Sequence, residues 1–238
     1  MDNLYRSLPN KEFSDIRERI LYEDNHYIIF CKRAGEIVQG DKTEDEPLSE
    51  TIKAFISQRD NKPGAVYLGV PHRLDRPTSG ATIFAKTSKG LERINQMLKD
   101  GEVHKTYWAL VGLKPKDEER ELVNFLYRDE KKNKTYVSSK MRKGYKEARL
   151  KYKLIGATNK YYLLEIELYT GRHHQIRAQL SYIGSPIKGD LKYGAPRSNK
   201  DGSISLHARR IEFIHPIKKI KVEVEAPISN VAFPGVES

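Results

Sequence analysis

Residues 149–168 read RLKYKLIGATNKYYLLEIEL, and this stretch carries the clearest structural signal in the chain. Apolar and charged residues alternate before a polar break at Asn159 and Lys160, and the alternation returns after it. Alternation with a period of two is typical of a strand that buries one face against the core. The stretch therefore predicts two antiparallel strands joined by a turn. The residues expected to face the core are Leu150, Tyr152, Leu154, Tyr162, Leu164, Ile166 and Leu168.

Short strands and helices alternate on both sides of this hairpin. Because strands outnumber helices and hairpins join several of them, the pattern indicates an α+β fold with a largely antiparallel or mixed sheet. Residues 1–18 are expected to form an irregular N-terminal arm, and residues 19–238 a single domain. Further strands are expected at residues 26–31, 81–85, 105–113 and 220–225, and helices at 47–59, from Ser88 to a stop at Gly101, and from a Thr170 cap to a stop at Gly184.

The charge balance of the chain points to a polyanionic partner. Lys and Arg total 43 against 32 Asp and Glu, a formal net charge of +11. The commonest large polyanion in the cytoplasm is nucleic acid. An anionic membrane surface would call for a basic amphipathic helix, and no segment fits that description convincingly. Nucleic acid is therefore the expected partner.

Several features bear on the compartment. No stretch approaches the ~18–20 consecutive apolar residues that a membrane helix needs, and the N-terminus lacks the apolar centre of a signal peptide. The single cysteine, Cys31, cannot form an intrachain disulfide, which suits a reducing compartment. We expect a cytoplasmic monomer without a membrane anchor.

Motifs for cofactors and metals are missing from the sequence. Neither glycine-rich phosphate-loop pattern occurs, one cysteine excludes a multi-cysteine zinc site, and there is no His-Glu-x-x-His. His173 and His174 are adjacent and would diverge by about 100° on a helix, too far to hold one metal from one face. We expect chemistry by side chains alone, with no cofactor and no metal.

One polar loop combines a carboxylate with two arginines. Pro71-His72-Arg73-Leu74-Asp75-Arg76-Pro77-Thr78-Ser79-Gly80 stands directly before the predicted strand at 81–85. Flanking arginines should lower the pKa of Asp75 and keep it ionised, which suits a nucleophile or base. The alternative is an aspartate fixed in a structural turn by arginine pairs.

A second polar segment is Thr170-Gly171-Arg172-His173-His174-Gln175-Ile176-Arg177. On a helix, Arg177 would lie about one turn from the two histidines and complete a broad cationic surface. The alternative here is a solvated basic helix face that binds RNA without chemistry.

These segments together resemble the motifs of RluA-type RNA pseudouridine synthases. His72-Arg73-Leu74-Asp75 with Thr78-Ser79-Gly80 is similar to that family's signature. Four further segments are similar to its other motifs, in the same order, and the resemblance runs from about Ile20 to about Pro227. They are Lys105–Ala109, Gly171–Arg177, Gly189–Gly194 and Leu206–Pro216.

The resemblance implies an enzyme that isomerises uridine in ribosomal or transfer RNA without a cofactor. It implies a single pseudouridine-synthase catalytic domain with a central mixed, largely antiparallel sheet flanked by helices and loops. Asp75 would be the catalytic nucleophile or base, and Arg177 its ion-pair partner. Tyr107 would stack under the uracil, with proton transfer by its hydroxyl as a further role. Arg73 would lie near the RNA and Leu206 in the apolar wall of the site.

Two departures from the family pattern leave the subfamily and substrate open. Ala178-Gln179-Leu180 stands where many members have Val-His-Leu, and Arg76-Pro77 replaces a basic residue followed by a small acid. Longer members carry an N-terminal RNA-binding domain, and we expect no separate one here. The alternatives are an inactive RNA-binding protein on the same scaffold and a carboxylate-dependent glycosidase or RNA N-glycosylase, which would usually need a second carboxylate.

A basic segment from Lys131 to Lys153 is the expected RNA-binding element. It holds ten Lys or Arg against one acid, Glu147, with Tyr136 and Tyr145 between the charges. Aromatic rings among cations are typical of single-stranded RNA sites. Substrate binding is assigned to Lys131, Lys132 and Lys134. The alternative is a solvated loop leading into the hairpin.

Overall fold

The computed structural model describes residues 4–40 and 44–236, so residues 1–3 of the expected arm lie outside the described residues. Four α-helices, one 3-10 helix and ten strands make up this part of the chain. They follow in the order α1 Asn10–Glu18, β1 Ile20–Glu23, β2 Tyr27–Lys32, α2 Leu48–Arg59, β3 Ser79–Ala85, α3 Ser88–Asp100, β4 His104–Val111, β5 Glu119–Asp129, β6 Lys134–Ser138, β7 Lys146–Ala157, β8 Tyr162–Leu168, α4 Gln175–Tyr182, the 3-10 helix Leu191–Tyr193, β9 Leu206–Ile214 and β10 Lys221–Glu225.

All ten strands form one sheet in the order β1-β2-β3-β9-β4-β8-β7-β5-β6, with β10 paired to β9. Every pairing is antiparallel except that of β3 with β9. The α+β prediction and the mixed, largely antiparallel sheet are therefore confirmed, as is the hairpin of β7 and β8, in which Leu154 pairs with Leu164.

The strand β2 is buried on both faces of the sheet. Ile28 and Phe30 pack with α2 on one face, while Tyr27 and Ile29 pack in the cluster that includes residues of α3 and β10 on the other. All four side chains are fully buried, so this strand reads as an unbroken apolar run and not as an alternating one. A third apolar cluster joins α4 to β4, β5, β7 and β8, and it includes Tyr107 and Leu206.

Two helix predictions need correction. The N-terminal arm is not irregular throughout, because residues Asn10–Glu18 form α1, whose Ile16 is buried in the cluster that contains α2. Helix α4 begins at Gln175, so the residue before it is His174 and Thr170 does not cap the helix. The Thr170 hydroxyl donates instead to the Gln175 side chain at 2.8 Å, which braces the segment before the helix. Helix α3 ends as predicted at Gly101, whose φ of 78° favours glycine.

The parallel contact of β3 with β9 depends on Gly80. Its φ is 116°, and a Cβ there would lie 2.3 Å from the backbone oxygen of Ala208. Beside it, the Ser79 hydroxyl lies 2.8 Å from Nδ1 of His207, while Nε2 of the same ring lies 3.1 Å from the carbonyl oxygen of Ala226. A carbonyl only accepts, so Nε2 carries the proton and Nδ1 accepts from the serine. This buried neutral imidazole fastens the strand after the Asp75 loop to β9.

Burial lowers the pKa of His207 to about 4. An unfolded histidine titrates near ~6.5, so the stability this group contributes is present above that value and lost as pH falls toward 4. We expect His207 to account for about 2 kcal/mol of the fall in unfolding free energy between pH 7 and pH 5. Denaturant unfolding of the parent and of His207→Gln at both pH values measures it. The variant should show a fall smaller by that amount, and an equal fall in both proteins would contradict the assignment.

Candidate active site

The loop that carries Asp75 is held by a buried lysine. Nζ of Lys32, at the end of β2, donates hydrogen bonds to the carbonyl oxygens of Asp75 at 3.2 Å, Arg76 at 3.1 Å and Thr78 at 2.6 Å. Lys32 is fully buried, and burial lowers its pKa to about 8. Sequence patterns assigned no role to Lys32; the available signal was a lysine at the end of an otherwise apolar strand.

Two further hydrogen bonds fix the same loop. Nε2 of His72 accepts from the backbone N–H of Ile83 in β3 at 3.0 Å, and burial lowers the pKa of His72 to about 3. The imidazole is therefore neutral at pH 7 and serves as a structural acceptor. The N–H of Gly35 donates to the carbonyl oxygen of Arg76 at 2.8 Å. The loop is anchored at both ends, which leaves the Asp75 side chain in a defined place.

Arg177 connects Asp75 to a second carboxylate. Its Nη1 donates to Oδ2 of Asp75 at 2.9 Å, while Nε and Nη2 donate to the two carboxylate oxygens of Asp190 at 2.7 and 2.9 Å. Arg177 is 5% exposed and Asp190 is 1% exposed. The alternative reading of this segment as a solvated basic helix face is therefore wrong for Arg177, because its guanidinium is buried and paired. Sequence patterns assigned no role to Asp190, although it lies in the Gly189–Gly194 motif.

His174 closes the other side of Asp75. Its Nδ1 lies 2.9 Å from the Tyr193 hydroxyl, and its Nε2 lies 3.5 Å from Oδ2 of Asp75. The Tyr193 hydroxyl already accepts from the N–H of Thr135 at 2.8 Å, so its own proton is free to go to Nδ1. The ring proton then sits on Nε2 and faces the carboxylate. Burial lowers the pKa of His174 to about 3, so the ring is neutral.

The carboxyl group of Asp75 is held in its anionic form. Burial by itself would raise its pKa, but the electrostatic effects of His174 and Arg177 and the hydrogen bond from Arg177 outweigh this and lower it. Because the His174 ring is neutral at pH 7, the lasting positive charge is that of Arg177. The expectation that Arg73 and Arg76 do this is corrected, since Arg76 pairs with Asp45 and the Arg73 side chain is exposed.

The site opens into a cavity of about 400 Å³. Asp75, Tyr107, Arg177, Leu206 and Arg73 all line it, so the structure brings together the five predicted residues that come from distant parts of the chain. Tyr107 is 6% exposed, and burial together with the charge of Asp75 raises the pKa of its phenol. This volume lies in the range of small-ligand pockets.

The predicted substrate-binding lysines are not part of this cavity wall. Lys131 and Lys132 are exposed at the turn between β5 and β6, and Nζ of Lys134 lies 5.4 Å from the centre of the Tyr193 ring. The turn is nevertheless attached to the site, because the side chain of Asn133 lies 3.1 Å from Nε2 of His173. Arg128 of the preceding strand β5 lines the cavity directly.

Among residues 4–40 and 44–236 there is no group of three or more His, Cys, Asp or Glu side chains that could hold a metal ion. Within the same ranges, no helix has the length and apolar character required to cross a membrane.

The fold and the site define the class of protein. The chain is similar to the solved structure of human RNA Pseudouridylate Synthase Domain Containing 4, with a TM-score of 0.78, 20% identity and 94% of each chain covered. It is also similar to human RNA Pseudouridylate Synthase Domain Containing 1, with a TM-score of 0.70, 22% identity and 88% of this chain covered against 82% of that one. Both likenesses show a pseudouridine-synthase fold.

Sequence comparison gives the family. Residues 26–182 match the family model described as RNA pseudouridylate synthase. The chain is 31% identical over 230 residues to ribosomal large subunit pseudouridine synthase C of Vibrio cholerae, covering 92% of this chain and 70% of the relative. It is 33% identical to the protein of the same name from Buchnera aphidicola, covering 89% and 67%. The chain belongs to the RluA-type RNA pseudouridine synthases, and it is an RNA-modifying isomerase.

We predict that Lys32→Met lowers the free energy of unfolding by about 2–4 kcal/mol. The substitution keeps the length of the side chain but leaves buried carbonyl oxygens without a donor. Urea unfolding measures the change, with Lys11→Met on the exposed side of α1 as the matched control. Pseudouridine formation should also fall in Lys32→Met at temperatures where the variant is folded. Parental stability and rate would show that the loop holds its position without this lysine.

Proposed function

We propose that the protein converts uridine to pseudouridine in ribosomal RNA of the large subunit, with Asp75 as the catalytic residue. The observation that carries the proposal is the anionic Asp75 carboxylate, fixed by Arg177 at the wall of a cavity that also contains Tyr107. The names of the relatives from Vibrio cholerae and Buchnera aphidicola support the choice of ribosomal RNA. Transfer RNA is the alternative substrate.

The reaction is an isomerisation. The bond from ribose C1′ to N1 of uracil breaks, the uracil turns, and C5 bonds to C1′. The proton lost from C5 is balanced by one gained at N1. Asp75 acts by attacking C1′ or by removing the adjacent ribose proton, and both routes need the ionised carboxylate. Because stacked RNA hides the glycosidic bond, the target uridine has to be flipped into the cavity.

The other predicted residues have separate tasks in this proposal. The ring of Tyr107 stacks under the uracil, and its phenol, whose pKa is raised by burial and by the charge of Asp75, is protonated at pH 7. Leu206 supplies apolar surface on the cavity wall. Arg177 positions Asp75 through one hydrogen bond while Asp190 compensates the rest of its charge. Arg73, exposed at the rim, contacts the RNA near the flipped nucleotide.

The second carboxylate does not favour a glycosidase. An inverting or retaining glycosidase needs two carboxyl groups that both reach the glycosidic bond. Asp190 is 1% exposed and does not line the cavity, and both of its carboxylate oxygens accept hydrogen bonds from Arg177. It is therefore placed to orient Arg177 and not to protonate a leaving group.

Asp75→Asn tests the catalytic assignment. We expect pseudouridine formation to fall by at least ~10²–10⁴-fold, because the amide has neither the charge nor the basicity of the carboxylate. Folding should survive, since Arg177 keeps its two hydrogen bonds to Asp190. The measurement is pseudouridine mapping after incubation with ribosomal and transfer RNA from a strain that lacks the gene.

Asp100→Asn, at the exposed end of α3, is the matched control and should retain the parental rate. A normal rate in Asp75→Asn would contradict the catalytic assignment. Release of free uracil would instead indicate an N-glycosylase, and modification confined to transfer RNA would move the substrate to that class.

The turn between β5 and β6 is the second part of the proposed RNA contact. It is fastened beside the cavity by Nζ of Lys192, which donates to the carbonyl oxygen of Asn133 at 3.0 Å, and by the bond from Thr135 to Tyr193. Its exposed lysines therefore stand at a fixed place near the site. Of the two tyrosines expected to stack on bases, Tyr145 already stacks on Tyr127, with ring centres 5.5 Å apart.

Replacing Lys131, Lys132 and Lys134 together with Gln should weaken RNA binding and leave the chemical step unchanged. The slope of log affinity against log salt should flatten by about two, because each phosphate contact to a single strand contributes about 0.7. Single-turnover rates at saturating enzyme separate chemistry from binding. A matched triple change of the exposed lysines Lys11, Lys89 and Lys160 to Gln removes the same charge elsewhere. Equal slopes in the two triple variants would show that the lysines of the turn do not contact RNA phosphates.

A monomeric state and a cytoplasmic location complete the proposal. The location rests on the single cysteine, Cys31, which suits a reducing compartment; it is half-buried, and burial raises the pKa of its thiol. Light scattering of the purified protein tests the first, and fractionation of cells tests the second.

A further inference from the structure

A second cavity, of about 660 Å³, adjoins the active site. It is bounded by the end of α3, the start of β4, the end of β8 and the middle of β9. Four residues line both this cavity and the active-site cavity, so the two share a wall: Lys105, Leu168, Gly171 and Arg172. We call the larger space the flanking cavity.

Lys105 stands at the junction of the two cavities without a partner. Among the described residues its ammonium group has no hydrogen bond and no ion pair, although the side chain is half-buried. Its Nζ lies 3.9 Å from the place where a Cβ on Gly171 would be. Burial alone lowers the pKa of Lys105. Withdrawing a charge from water without compensation is costly, so an anion that binds here would recover that cost.

The rest of the flanking cavity is also cationic. Lys99, Arg172 and Arg210 line it with Lys105. Its two carboxylates are both engaged: Glu167 accepts from the Tyr169 hydroxyl at 3.0 Å, and Glu212 pairs with Lys221 at 3.2 Å.

Arg172 is held at one edge only. Its Nε donates to the carbonyl oxygen of Glu147 at 3.0 Å, and no other hydrogen bond or ion pair of its guanidinium is formed within the described residues. Its remaining N–H groups can therefore donate to a bound oxyanion, which suits the fork geometry of a guanidinium.

We propose that the flanking cavity holds the nucleotide next to the target uridine, with the intervening phosphate on Lys105 and Arg172. The inference rests on the proposed function, because it assigns the neighbour of a uridine flipped into the active-site cavity. Adjacent nucleotides of an RNA strand are joined through one phosphate. Two cavities that share a wall can therefore hold two such nucleotides with the phosphate at the shared wall. The volume suits a small polar ligand of nucleotide size, and phosphate recognition by these cations is independent of the base.

Lys105→Met tests the phosphate contact. The probe is a fluorescent single-stranded oligouridylate of about nine nucleotides, which matches common single-strand site sizes. Anisotropy titrations at several salt concentrations give the slope of log affinity against log salt. The slope should flatten by about 0.7 in Lys105→Met, and Lys105→Arg should restore most of it because it keeps the charge.

Lys89→Met is the matched control. Lys89 is exposed on the same helix as Lys99 but lines neither cavity, so the slope should stay at the parental value. The melting temperature should not fall in Lys105→Met, because the removed charge has no partner in the folded protein. If it does fall, Lys105→Gln makes the same comparison with a polar end group.

The outcomes separate this inference from the proposed function. An unchanged slope in Lys105→Met and Lys105→Gln overturns the phosphate contact, even if the parental protein forms pseudouridine. Failure of the parental protein to bind the oligouridylate at low salt overturns it as well. A flattened slope supports the contact, and if the parental protein then makes no pseudouridine in ribosomal or transfer RNA, only the proposed substrate assignment fails.

Discussion

The ion-pair chain from Asp75 through Arg177 to Asp190 is the interaction on which the site depends. The Arg177 guanidinium is 5% exposed, so its burial carries a desolvation cost. Ion pairs with two carboxylates offset this cost. The bidentate contact to Asp190 uses one edge of the guanidinium and fixes its plane, which leaves Nη1 directed at Asp75. Removing one partner of such a buried pair typically costs about 3–5 kcal/mol. The same contacts that hold α4 in place therefore also set the charge and position of Asp75.

The sheet explains how residues so far apart can meet. Strand β9 lies between β3, which follows the Asp75 loop, and β4, which carries Tyr107, so Leu206 at the start of β9 lies between the two. The pairing of β4 with β9 shifts register between Thr106 and Tyr107. Such a bulge turns side chains relative to the regular alternation, and it lies at the residue that faces the cavity.

Three histidines in and around the site are neutral and form hydrogen bonds. His174 and His207 are buried and His72 is half-buried, and each has a lowered pKa, so they act as hydrogen-bonding groups and not as charges. His72 ties the loop to β3, His207 ties β3 to β9, and His174 contacts the carboxylate itself. The cationic charge is left to Arg177 inside the site and to Lys105 and Arg172 at the junction with the flanking cavity.

The amino-acid sequence by itself determined the local elements and the list of candidate residues. Period-two alternation located β7 and β8, the helical period located α2 and α3, and five ordered motifs indicated the family and with it the pairing of Arg177 with Asp75. Tertiary structure decided which charges act on Asp75. Arg76 pairs with Asp45 and Arg73 is exposed, while Arg177, 102 residues further along the chain, bonds to both Asp75 and Asp190. Electrostatic coupling depends on distance in space and on burial, and neither is encoded in spacing along the chain. For the same reason the role of Lys32 is apparent only in the folded structure, where its ammonium group donates hydrogen bonds to three carbonyl oxygens of the catalytic loop.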